Sequence, residues 1–183
     1  MHLSSIFSLL AIPACLASTL RHDSHHVKRG SETDATLYAY GTSTNGWPIA
    51  YGSDDGLLYI AESPNNNSSK LTPLTWDLPS ITDECWIANA SFVNGTRAGS
   101  LFIKPEDEYA LGVLPITRVA YINGTVSGFA LFASQLVYNN NTELEAQFWA
   151  ATTDTDGLYK LVWNANGVVS EGDFPVVVKG SED

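Results

Sequence analysis

In the segment Glu143 to Ala150, ELEAQFWA, strand alternation puts Glu143, Glu145, Gln147 and Trp149 on one face, and Leu144, Ala146, Phe148 and Ala150 on the other. An indole beside carboxylates and an amide has the chemistry of a sugar-binding surface: the flat ring stacks on a pyranose while the polar groups bond its hydroxyls. Trp47, next to a turn in NGWPIAYG, is a second such ring. Trp149, Trp47, Glu143 and Glu145 are therefore the candidate carbohydrate-binding residues, against the plainer expectation that each ring packs under a covered sheet face.

The same two glutamates raise a second chemistry. Two residues apart on one strand, their backbones lie roughly 7 Å apart, a spacing that permits a glycosidase pair with one protonated and one ionised carboxyl. Alternation alone also puts solvated charges there, and no catalytic residue is singled out. Asp154 and Asp156 in TTDTDGLYK, or Asp54 and Asp55 in GSDDGLLY, offer hard oxygen donors for calcium, but neither segment carries a full ligand series. Aspartate before glycine is ordinary turn chemistry. No metal site and no cofactor is expected.

Other reactions are excluded by what the chain lacks. All four histidines, His2, His22, His25 and His26, precede Gly30. Residues 1–17 read as an export signal, an apolar run with Pro13 near its middle and small residues leading to cleavage after Ala17. Residues 18–29 read as a pro-segment ending in the dibasic pair Lys28-Arg29. The remaining domain, 30–183, then has no imidazole, hence no Ser-His-Asp or Cys-His pair and no His-based zinc, copper or iron site. Its Cys85 has no partner for an intramolecular disulfide, and a buried inert thiol is expected in preference to an intermolecular bridge.

Residues 30–183 form one domain of 154 residues with six basic and nineteen acidic side chains, a formal charge of −13. Nucleic acid and anionic membranes are poor partners for that surface. No run is long and apolar enough for a spanning helix, and VVVKGSED lacks the tail of a lipid-anchor signal.

The elements that must position these residues are strands. Asn-Gly at 45–46, 94–95, 123–124 and 166–167, and Asp-Gly at 55–56 and 156–157, separate runs rich in aromatic and β-branched residues. Strands are read at ATLYAYG, PIAYG, LLYIAE, LTPLTW, WIANASF, GSLFIK, RVAYIN, SGFALFASQLVY, ELEAQFWA, GLYKLVWN and FPVVVK, with one short helical turn around KPEDEYA. The fold class is all-β: an antiparallel β-sandwich of roughly ten to eleven short strands, with a closed β-barrel as the alternative.

Glycosylation acceptor patterns stand at Asn66, Asn67, Asn89, Asn94, Asn123 and Asn140, mostly in turns and polar loops, consistent with a secretory route. The stretches YAYGTSTNGWPIAYGSDDGLLYIAE and AQFWAATTDTDGLYKLVWNANG, with the leader and dibasic site, resemble a group of small secreted glycoproteins of filamentous fungi, over about Thr36 to Lys179. The resemblance implies fungal origin and export. It implies no activity and no site residues.

Three functions remain: a non-catalytic protein of the cell wall or host surface that binds polysaccharide or a surface protein, a small carboxylate-dependent glycoside hydrolase, and a β-barrel binder of an apolar small molecule.

Overall fold

The computed structural model describes residues 30–64, 70–115, 124–141, 143–164 and 166–181. Its thirteen strands are β1 (Glu32–Gly41), β2 (Asn45–Gly52), β3 (Leu58–Ala61), β4 (Leu71–Leu78), β5 (Asn89–Phe92), β6 (Arg97–Lys104), β7 (Ala110–Leu114), β8 (Phe129–Phe132), β9 (Gln135–Asn140), β10 (Glu143–Glu145), β11 (Phe148–Thr152), β12 (Leu158–Trp163) and β13 (Phe174–Ser181). There is no helix among the described residues.

Every strand pairing is antiparallel, and the sheet closes on itself. β1 pairs with β13 as well as β2 and β4, while β12 pairs with β7 as well as β3 and β11. The result is a nine-stranded barrel with extra strands. Of the two all-β architectures expected, the closed barrel is the one observed. Closure leaves few open edges, which suits a chain of short strands.

Alternation fixes which residues face the lumen. In β13, Phe174, Val176 and Val178 are buried while Pro175, Val177 and Lys179 point out. The other strands add Leu37, Ile49, Ile60, Trp76, Leu101, Leu111, Phe148 and Leu161 to a continuous interior cluster. Large side chains thus fill the space, as expected for a barrel of about eight strands.

Several local expectations are corrected. ELEAQFWA is two strands: β10 pairs with β9 at the end of the sheet, whereas β11 pairs with β12 and β13. Leu144 is consequently 47% exposed and Ala146 is exposed, instead of sharing the buried face of Phe148 and Ala150. SGFALFASQLVY folds into the β8–β9 hairpin, turning at Ala133 with φ 58°. Gly46 marks a bulge inside β2, where the register with β1 shifts, and not the tip of a hairpin. β7 was not anticipated, since ALGVL is buried at every position and shows no alternation. In place of a helical turn, residues 105–109 form a tight turn in which Glu108 and Tyr109 both take positive φ, 50° and 58°. Cys85 is exposed, in the connection before β5, because only from Ala88 onward does that segment enter the core. The expected strand RVAYIN lies outside the described residues.

Candidate functional site

Trp149 sits on the outer wall of the barrel. Its neighbours Phe148 and Ala150 occupy the lumen, so alternation turns the indole out. Register then sets its surroundings: Trp149 lies opposite Val162 of β12 and Pro175 of β13, and Val162 lies opposite Ala110 of β7. Pro175, Trp149, Val162 and Ala110 thus form one outward row across four strands. The half-buried indole packs on a small second cluster of Leu57, Ala110 and Val162.

The two ends of this row rise above the wall and enclose a cavity of about 340 Å3. One bank is the turn carrying Glu108 and Tyr109; the other is formed by described residues of the connection between β12 and β13, namely Asn164, Asn166, Val168, Ser170 and Asp173. Trp149, Ala151 and Val162 contribute to its apolar lining.

Both banks are held by specific contacts. Asp173 Oδ1 accepts from the amide and the hydroxyl of Thr152 at 2.9 and 3.2 Å, leaving Oδ2 without a bond among the described residues. Asn164 bonds Val168 twice, donating to its carbonyl at 2.6 Å and accepting from its amide at 3.1 Å. On the other bank, two successive non-glycine residues at positive φ store strain of order 1–2 kcal/mol each. The strain persists because neighbours over-determine the turn. Asp107 is clasped by Lys104 of β6 at 3.2 Å and Lys160 of β12 at 3.5 Å. Its carbonyl accepts from the Ala110 amide at 2.8 Å, and the Tyr109 carbonyl accepts from the Trp163 amide at 2.9 Å. Burial pushes the Asp107 carboxyl up, but the Lys104 hydrogen bond and the two lysine charges outweigh it and hold it below its ordinary value.

The remaining candidates lie apart from this groove. Trp47 is half-buried against the interior cluster, its ring 6.2 Å from that of Tyr159. Glu143 is exposed on β10, and Glu145 accepts from Gln147 at 3.3 Å and Asn140 at 3.5 Å. None of the three lines the Trp149 cavity. Its two carboxylates are Glu108 and Asp173, which no sequence signal set apart.

The two acidic turns do meet. Asp54, Asp55 and Asp154 line a cleft of about 480 Å3 together with Tyr59, Lys70 and Lys160, and Asp156 does not join them. Asp54 is paired with Lys70 at 2.7 Å. Asp55 accepts from the Leu57 amide at 3.0 Å and the Tyr59 hydroxyl at 2.5 Å. Burial, then that hydrogen bond, raises the Tyr59 phenol well above its usual value. Among the described residues no group of three or more His, Cys, Asp or Glu is placed to hold a metal ion. With Asp54 and Asp55 held by these contacts, the cleft reads as turn structure.

Of the acceptor asparagines, Asn94 stands exposed in the β5–β6 turn and Asn140 is half-exposed at the end of β9. Asn89 is half-buried, its Oδ1 accepting from Arg97 at 2.8 Å and Ser100 at 2.9 Å and its Nδ2 donating to the Ile87 carbonyl at 3.3 Å. Asn66, Asn67 and Asn123 lie outside the described residues, as do Ala17, Lys28 and Arg29. No helix of the described residues is long and apolar enough to cross a membrane.

No protein-family model, no curated protein and no solved structure matches this chain. What it does must be argued from the groove itself.

Proposed function

We propose that the protein binds carbohydrate, without cleaving it, in the outer-wall groove over Trp149. The observation that carries this reading is the composition of one cavity: an outward indole at Trp149, the Tyr109 ring, and two carboxylates and two amides at its banks. One strand, β12, lies between Trp149 and the Tyr109 turn, so two strand spacings, about 10 Å at the backbone, leave room for a sugar ring to lie against one aromatic and near the other. The backbone strain at Glu108 and Tyr109 adds weight, because such strain collects at binding sites.

The chain is further read as an exported glycoprotein of a filamentous fungus, acting at the cell wall or a host surface. The apolar leader, the dibasic pair and the placement of Asn94 support that reading. The apolar-ligand alternative is weakened by a lumen already filled with side chains. The hydrolase alternative is weakened because Glu143 and Glu145 stand away from the aromatic groove, and of the groove's own carboxylates Glu108 is exposed and Asp173 is only half-buried, so neither has the poorly solvated setting a general acid needs.

The test is calorimetric titration with soluble polysaccharide fragments, for wild type and Trp149→Ala, alongside an assay for released reducing ends. Binding lost in the variant, with no release by wild type, supports the proposal. Release of reducing ends, or binding unchanged by the substitution, refutes it.

A further inference from the structure

The charge of the groove narrows the class of glycan. Among its lining residues are two carboxylates, Glu108 and Asp173, and no lysine, arginine or histidine. The cations of the surrounding strands are already engaged. Lys104 and Lys160 are held on Asp107 at 3.2 and 3.5 Å, and Lys179 of β13 lies over the Tyr40 ring at 5.1 Å. A neutral sugar needs hydrogen-bond acceptors but no net negative charge, and an acidic sugar would be repelled. A sugar bearing an ammonium group gains from both features, because carboxylates make charge-assisted hydrogen bonds to it and aromatic faces attract a cation.

Asp173 is arranged for such a role. Both contacts to Thr152 fall on Oδ1, so the carboxylate is oriented while Oδ2 keeps its acceptor capacity, and Asp173 is among the residues lining the cavity. Glu108 is exposed on the opposite bank. The formal charge of −13 on residues 30–183 adds long-range attraction for a polycation.

Resting on the carbohydrate reading, we infer that the preferred ligand of the Trp149 groove is a glycan carrying free protonated amino groups, of the glucosamine type, with Glu108 and Asp173 as the ammonium acceptors.

The experiment titrates the full chain at about pH 5.5, where carboxylates are ionised, with the tetramer of glucosamine, the tetramer of N-acetylglucosamine and tetralysine. The glucosamine tetramer is expected to bind about tenfold tighter than the acetylated one, the worth of one charge-assisted contact. The Glu108→Gln/Asp173→Asn double variant should bring the two to equal affinity, and Trp149→Ala should abolish binding of both. Asn at 173 retains an oxygen for Thr152, which preserves the fold; Glu108→Gln alone, at an exposed position, repeats the test should the double variant misfold. Equal affinity of the two sugars for wild type overturns the amine preference and leaves the carbohydrate reading standing. A preference that survives in the carboxylate variants also overturns it, by assigning the effect to diffuse charge. Tetralysine binding as tightly, in a Trp149-dependent way, replaces the glycan with a basic peptide. Failure of both sugars to bind overturns the inference, while the carbohydrate reading stands or falls separately on the polysaccharide titration.

Discussion

Asp173 Oδ1 accepts both the backbone amide and the side-chain hydroxyl of Thr152, fastening the connection between β12 and β13 to β11 three residues beyond Trp149. One carboxylate oxygen thereby sets the height of one bank of the groove. Asp173→Ala should cost about 1 kcal/mol, since both hydrogen bonds lie at an exposed site, and should speed hydrogen exchange at the Thr152 amide without disturbing amides of the β1–β13 ladder. Exchange slowed or unchanged at Thr152 would contradict this.

Trp149 and Trp76 provide a matched contrast. Trp76 is 1% exposed in the lumen, and its truncation to alanine should cost about 3–5 kcal/mol. Trp149 is half-buried on the outer wall and rests on only the small second cluster, so Trp149→Ala should cost about 1–2 kcal/mol. Denaturant unfolding of the two variants checks the order; a Trp149 variant as unstable as the Trp76 variant would place the indole's role in folding.

The strained turn predicts opposite effects on stability and binding. Glu108→Gly relieves a positive φ of 50° and should stabilise the fold by up to about 1 kcal/mol, while weakening binding of an amine-bearing sugar. A glycine that stabilises and leaves that binding intact would remove Glu108 from the site.

Acid sensitivity should trace in part to Asp107. Its folded carboxyl is held below its ordinary value by Lys104 and Lys160, with burial opposing. Its contribution is therefore complete above the unfolded value of about 4 and is lost as pH falls through the lower folded one. The gap in thermal midpoint between wild type and Asp107→Asn should be widest near neutrality and narrow progressively on acidification below the unfolded value. A gap that widens on acidification would contradict the sign.

Glycan occupancy separates two acceptors on neighbouring positions of the chain. Asn94 is exposed at a turn, whereas the Asn89 amide is spent on Arg97, Ser100 and Ile87. Peptide mapping of exported protein should find Asn94 modified and Asn89 bare; the reverse would require those three contacts to break.

Strand content was legible because period-two patterns such as Phe174, Val176 and Val178 can be read directly from residue types. Barrel closure was less so, since it depends on β1–β13 and β12–β7 pairings between residues far apart in the chain. ALGVL escaped notice because burial on both faces erases alternation. Ala133, Glu108 and Tyr109 turn at positive φ without the glycine or asparagine that would announce it. The same reasoning explains the half-visible site. Trp149 declared itself by standing on a polar face, but its companions Tyr109, Glu108 and Asp173 reach it only through the register of β11 with β13 and of β12 with β7. Glu143 and Glu145 are companions of Trp149 only in an unbroken ELEAQFWA strand, and the segment is two strands.

The central claim is that sugar lies against one of five indoles. Nitrogen-15 correlation spectra resolve the indole N–H signals, and Trp149→Phe assigns the one at issue. On titration with glucosamine tetramer, the Trp149 signal should shift in a saturable way together with the Asn164 side-chain amide, while the signals of Trp76 and Trp47 stay in place. Saturable shifts confined to Trp47, or a Trp149 signal unmoved while binding is seen by calorimetry, would contradict the account.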